Sequence, residues 1–130
     1  MKIVVLKFGG TSVGTIEKIK KVTDIIIEHK KKKNKVIVVS SAMSGVTNDL
    51  IKKSKQISNN FSDSEYDVLV SSGEQVACSL IAGRLNHKGF KSRSWLGWQI
   101  PIFTNGPYTN SRIQQVNKNK LSRFLKEGGI

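Results

Sequence analysis

The sequence predicts an α/β fold built on a mostly parallel sheet, and three observations carry that prediction. Ile3–Leu6 is a short continuous apolar run, which suits a strand buried on both faces of a parallel sheet. A second run, Lys35–Ser40 (KVIVVS), follows one amphipathic segment later. Each run ends in a loop of glycines and small hydroxyl residues, Gly9-Gly10-Thr11-Ser12 after the first and Ser41–Asn48 after the second. Two parallel strands joined by a helix form a right-handed crossover, which brings both loops to one edge of the sheet.

The first strand runs into Lys7-Phe8-Gly9-Gly10, and a helix follows. Glycines let a backbone approach an anion closely and adopt positive φ, while N–H groups and the helix dipole face the charge. Spacing alone leaves two readings open, an ordinary strand-to-helix turn and a phosphate cradle. The loop is not G-x-x-x-x-G-K-[ST], nor is it G-x-G-x-x-G, because Thr11 stands where the second glycine belongs. Lys7 favours the cradle. An ammonium at the end of a buried strand is costly unless it meets an anion or water. The carboxyl edge of a parallel sheet is also where α/β proteins hold ligands.

Thr15 caps the crossover helix, whose apolar face is Ile16, Ile19, Val22, Ile25 and Ile26. The second loop, Ser41–Asn48, leads into a short helix through Leu50, Ile51 and Ile57. Ser62-Asp63-Ser64-Glu65 is a capping box that opens another helix. Ser71-Ser72-Gly73-Glu74 is expected to interrupt it, with Ser72 and Gln75 as a second capping box. That restarts a helix through Val76, Leu80, Ile81 and Leu85, which Gly89 stops. Glu74 then lies in a first helical turn. There it either complements the dipole, worth about 0.3–1 kcal/mol, or offers its carboxylate to a ligand's ammonium.

Lys91–Leu96 reads as a third strand, Gly97-Trp98-Gln99 as a turn, and Ile100–Thr104 as extended around Pro101. Asn105-Gly106-Pro107 is a turn and Ser111–Val116 a short strand. Asn117 caps a last helix with Leu121, Phe124 and Leu125, ended by Gly128-Gly129. Trp95, Trp98 and Phe103 suit either a stacking surface or ordinary packing. Ile130 would start a further strand. Stopping there leaves an unpaired sheet edge, so a truncated product is expected.

Composition narrows the function classes. At 130 residues the chain has the size of one domain and can bury roughly two-thirds of its unfolded surface. A net charge of +13 raises nucleic acid as a partner. Yet the only arginines are Arg84, Arg93, Arg112 and Arg123, so planar base readout is scarce. The densest run, Lys30–Lys33, closes a helix and complements its dipole. No specific nucleic-acid partner is expected. Cys78 is the only cysteine, so no internal disulfide forms and a reducing cytoplasm is the simplest location. It reads as a small buried hydrophobe rather than a nucleophile. No apolar segment is long enough for a signal peptide or a bilayer span, so no membrane partner is expected.

With its motifs placed, the chain resembles the aspartate kinases of the amino acid kinase family. The residues that carry the likeness are Lys7-Phe8-Gly9-Gly10-Thr11-Ser12-Val13 and Val38-Val39-Ser40-Ser41-Ala42-Met43 with Gly45-Val46-Thr47-Asn48. Ser72-Gly73-Glu74, Gly97-Trp98-Gln99 and Ser111-Arg112-Ile113 agree less strictly. The resemblance implies a three-layer α/β/α domain, of which residues 1–130 are the N-terminal portion. The nucleotide-binding C-terminal half and the regulatory domains would then be missing. It further implies transfer of the γ-phosphoryl group of ATP to the side-chain carboxylate of L-aspartate, giving 4-phospho-L-aspartate.

On that resemblance, Lys7, Phe8, Gly9 and Gly10 hold ATP phosphates, with Lys7 the catalytic cation. Ser41 lies beside the transferring group. Thr47 and Glu74 bind aspartate, Glu74 through the α-ammonium. Mg2+ is implied as a cofactor, although no metal ligand is identified in the chain. An oligomer is implied for the full-length protein, and these residues alone are expected to be inactive. Two alternatives stay open. One is a relative acting on glutamate, acetylglutamate or a nucleotide; the other is a non-catalytic basic binding fragment.

Overall fold

A computed structural model of the chain describes residues 2–130. Strand β1 (Ile3–Phe8), helix α1 (Ile16–Lys31) and strand β2 (Lys35–Ser40) form the expected unit, with β1 and β2 parallel. Their register sets Leu6 opposite Val38, Lys7 opposite Val39 and Phe8 opposite Ser40. Thr15 caps α1, its side chain accepting a hydrogen bond from the Lys18 N–H at 3.2 Å.

Alternation along the two strands separates two faces. Leu6, Phe8, Val36 and Val38 face the core, packed with Ile19, Val22 and Ile26 of α1 and with Ile81 and Leu85 further on. Val36 is fully buried. On the other face Ile3 is 56 % and Val5 59 % exposed, and Val39 is also open. Burial of β1 on both faces is therefore not what the structure shows. Among the described residues the helices cover one side only. The second helical layer implied by the resemblance has no counterpart within them.

Helix α2 (Val46–Ile57) begins earlier than expected, so Thr47 and Asn48 belong to its first turn rather than to the loop. Gly45 precedes it at φ 85, the left-handed conformation that glycine adopts without penalty. Helix α3 (Asp63–His87) then runs unbroken for 25 residues. The interruption expected at Ser71–Glu74 does not occur. The Ser71 and Ser72 hydroxyls donate instead to the carbonyls of Val68 and Leu69, at 3.0 and 2.7 Å. Satisfied within their own helix, they compete with no ladder bond and cap nothing. At the start of α3, Ser62 makes no capping bond and pairs with the Ser64 hydroxyl at 2.8 Å. Arg84 ties α3 to α1, donating from Nε to the buried Thr23 hydroxyl at 2.8 Å.

Gly89 ends the helical region at φ 81, as expected. The third strand expected over Lys91–Leu96 does not form. Its strand-like pairing is confined to its start, where the Ile130 N–H donates to the Lys91 carbonyl (2.9 Å) and the Arg93 N–H to the Ile130 carbonyl (3.2 Å), whereas Leu96 bonds locally to Gln99 and Ile100. That pattern is parallel, with Ile130 opposite Ser92. Strands β3 (Ile102–Asn105) and β4 (Arg112–Val116) form a separate antiparallel hairpin with an irregularity between Phe103 and Thr104. Helix α4 (Asn119–Lys126) follows, and Asn117 accepts from the Asn119 N–H at 3.1 Å. Trp95 meets Phe124 of α4 edge-on at 5.6 Å, and the Arg93 guanidinium lies 4.5 Å over the Trp95 ring. Trp95 is thus packed, whereas Trp98 and Phe103 are more than half exposed. No helix among the described residues is long and apolar enough to cross a membrane.

Candidate functional site

Both polar loops leave the same edge of the β1–β2 pair, and they are bonded to each other. The Ser41 N–H donates to the Phe8 carbonyl at 3.0 Å, and the Ser44 N–H to the Gly10 carbonyl at 3.1 Å. Within the first loop the Ser12 N–H donates to the Gly9 carbonyl at 2.9 Å, which closes a tight turn. Lys7 is exposed and belongs to the open face of the sheet, two residues before that turn. Its ammonium therefore has water for company and is not buried by its own fold, which removes the desolvation cost raised by the sequence.

Glycine identity differs in meaning along this loop. A Cβ on Gly10 would stand 2.9 Å from the Ala42 carbonyl oxygen, so the close approach of the second loop requires glycine there. A Cβ on Gly9 would meet nothing within 4 Å, and its φ is not in the left-handed range. Neither packing nor backbone conformation inside this chain asks for glycine at position 9. Empty space beside an exposed backbone is what an incoming anion needs.

Glu74 is half-buried in the middle of α3, not in a first turn. Its Oε1 accepts a hydrogen bond from the Ala42 N–H at 3.3 Å, so the carboxylate touches the second loop directly. Thr47 follows Val46, whose side chain lies against Gly73 just before Glu74. The structure thus gathers Phe8, Gly10, Ser41 and Glu74 through backbone bonds and close contacts, with Thr47 and Lys7 adjoining. Two participants escaped the sequence reading: the backbone N–H of Ala42, and Gly73. The signal for Gly73 was available, since glycine inside a helical apolar period usually has a packing reason.

A trough of about 510 Å³ runs along β2 between α3, residues 92–98 and α4. Its lining is largely apolar, and of the expected site residues only Glu74 borders it. Cys78, one turn beyond Glu74, also lines it, and burial pushes that thiol's pKa up, which makes it a weaker nucleophile. Among the described residues no group of three or more His, Cys, Asp or Glu side chains is placed to hold a metal ion.

The amino acid kinase family model matches residues 2–130. The chain belongs to that family. An aspartokinase of Geobacillus stearothermophilus is 47% identical over 130 residues, covering 100% of this chain and 32% of the relative. An aspartate kinase of Pseudomonas putida is 42% identical, with the same coverage of each chain. The crystal structure of aspartate kinase from Synechocystis superposes with a TM-score of 0.85 at 34% identity, covering 98% of this chain and 21% of that one. E. coli aspartokinase III, in complex with aspartate and ADP, gives a TM-score of 0.80 at 20% identity, a likeness of fold. This member of the amino acid kinase family therefore spans about a third of the length of the curated relatives it matches.

Proposed function

We propose that the protein carrying this sequence is an aspartate kinase, and that residues 1–130 supply the phosphate-side loops and part of the amino-acid site of its catalytic domain. The observation that carries this reading is the junction of loops at the sheet edge. There a carboxylate is bonded to the second loop, that loop is bonded to the first, and an exposed lysine and a glycine with open space beside it adjoin them in the chain. The named relatives support aspartate as the acceptor.

In this reading a side-chain carboxylate oxygen of L-aspartate attacks the γ-phosphorus of ATP. The bond from that phosphorus to the β–γ bridging oxygen breaks, and ADP leaves with the electron pair. The product is 4-phospho-L-aspartate, the compound from which lysine, threonine and methionine are made. A carboxylate is already a nucleophile at neutral pH, so the site needs alignment and neutralisation of charge rather than a base. Lys7 would supply that neutralisation. A cation about 4 Å from a phosphate oxygen contributes roughly 4 kcal/mol at an effective dielectric near 20. Phe8, Gly9 and Gly10 would line the phosphates, Ser41 would lie beside the transferring group, and Thr47 and Glu74 would hold aspartate. Mg2+ would arrive with the nucleotide; the described residues offer it no cluster of ligands, and no step is assigned to it. The protein would act in the cytoplasm, as an oligomer.

The test is a substrate panel on the protein at its natural length, in parent and Lys7→Ala forms. Aspartate is expected to be phosphorylated in preference to glutamate, acetylglutamate and nucleoside monophosphates. Lys7→Ala is expected to lower turnover roughly a hundred- to a thousand-fold, as loss of comparable electrostatic donors does. Near-normal turnover without Lys7, or preference for another acceptor, would overturn the assignment.

A further inference from the structure

Three glycines press on one short stretch of the second loop. Besides Gly10, a Cβ on Gly14 would lie 3.1 Å from the Ser44 Cβ. A Cβ on Gly73 would lie 3.0 Å from the Ala42 Cβ and 3.2 Å from the Val46 Cγ1. None of the three adopts a positive φ, so close approach is the reason each is glycine.

Gly73 stands apart because it lies inside a helix. Glycine in a helix interior costs roughly 1 kcal/mol relative to alanine, so something must offset that cost. The gain is visible next to it: α3 rests directly on Ala42 and Val46, and Glu74 reaches the Ala42 N–H at 3.3 Å. That bond is already long, so a displacement of a few tenths of an ångström takes it out of hydrogen-bonding range. An alanine at position 73 would demand a shift of that size.

We infer that Gly73 is a positioning residue: it seats α3 on the second loop so that the Glu74 carboxylate is held by the Ala42 amide. The carboxylate assigned to the substrate ammonium is then aimed by the same loop that carries Ser41. Only the identity of the ammonium-bearing ligand depends on the aspartate kinase reading; the seating of α3 does not. With Gly73→Ala, α3 and the loop separate and Glu74 loses its orienting partner. The β1 side of the site, with Lys7 and Gly9, stays as it was. Ala42→Gly removes the nearest atom that the new side chain strikes and leaves only the Val46 Cγ1 at 3.2 Å, a side-chain tip that can turn aside, so the paired change restores the seating.

Two readouts on the protein at its natural length test this. The first is the amide resonance of residue 42 in 15N-labelled protein, read with and without Glu74→Gln in each background. In the parent, Glu74→Gln shifts that resonance, because it changes the acceptor of the Ala42 N–H. In Gly73→Ala the same substitution leaves it in place, and in Gly73→Ala/Ala42→Gly it shifts it again. The second readout is kinetic. Gly73→Ala raises KM for aspartate roughly ten-fold, the scale of one misplaced charge-assisted hydrogen bond. KM for ATP changes less than about two-fold on the same reasoning, because Lys7 and the Phe8–Gly10 turn are untouched and Ser41 stays bonded to the Phe8 carbonyl. The paired variant recovers the aspartate value. An unchanged amide response in Gly73→Ala, equal rises in both KM values, or no recovery in the paired variant would overturn the inference. Should Gly73→Ala not fold, the paired variant decides alone: a parent-like amide response supports the seating, and its loss overturns it. A normal amide pattern with no aspartate phosphorylation would count against the substrate, not against Gly73.

Discussion

The two faces of the β1–β2 pair carry similar side chains in different surroundings. On one face Val36 and Val38 lie under α1 and α3, in a core that includes the fully buried Ile26. On the other, Ile3 and Val5 remain more than half exposed, and the row ends in Lys7. Valine and isoleucine alone do not say whether a face is covered within a given stretch of chain. What distinguishes the faces is their last residue. The covered face finishes in Phe8, the open one in a cation at the edge where both polar loops meet. Buried packing is therefore concentrated on one side of the strands, and the exposed cation stands on the other.

That division can be broken most directly at Lys7. Lys7→Ala is expected to remove most of the turnover while leaving the urea midpoint close to the parent's, because the side chain is exposed. A large fall in stability would show that the open face also holds the fold. Ile26→Ala is the converse experiment. It empties a fully buried position and is expected to cost about 2–5 kcal/mol in urea unfolding, with turnover per folded molecule retained. Val5→Thr, on the open face, is expected to change stability by no more than about 0.5 kcal/mol. A loss of several times that would mean the face is covered in solution.

The smallest effect lies at the exposed pair of Lys91 and Glu127, whose charged atoms are 2.7 Å apart. The hydrogen bond from Lys91 holds the Glu127 carboxyl below the usual glutamate range, with the Lys91 charge adding to it. Because the folded-state value is the lower one, this pair stabilises the fold above the ordinary glutamate pKa. That contribution is lost as pH falls through the lowered value. In Lys91→Ala the Glu127 titration, followed by carbon-13 NMR, is expected to move back up. An unmoved midpoint would dissolve the pair as a solution contact.

The strand–helix–strand unit was legible because its signals agree: two apolar runs, a 3.6-residue period and the Thr15 cap. The Gly89 and Gly128 stops were legible for a similar reason, since both adopt the positive φ expected of glycine after a helix. Ser71-Ser72-Gly73-Glu74 misled because its residue types suit a cap as well as a helix interior. Tertiary contact decided between them, with Ala42 and Val46 on Gly73 and the Ala42 amide on Glu74. Lys91–Leu96 has a strand's composition, but strand formation depends on a neighbour, and only Ile130 bonds to its backbone in a parallel pattern. Of the candidate site, the placement of Lys7 and the glycine pair at the end of β1 could be read directly. Contacts between Glu74 and the loop could not, because 32 residues separate the partners and no periodic pattern links them.

The uncovered side of β1 and β2 also bears on behaviour at high concentration. Adjacent aliphatic side chains beside an unshielded outer strand invite lateral association between molecules. A formal charge of +13 opposes it by mutual repulsion that weakens as added electrolyte shortens the screening length. Ionic strength will then govern whether molecules of this chain stay dispersed.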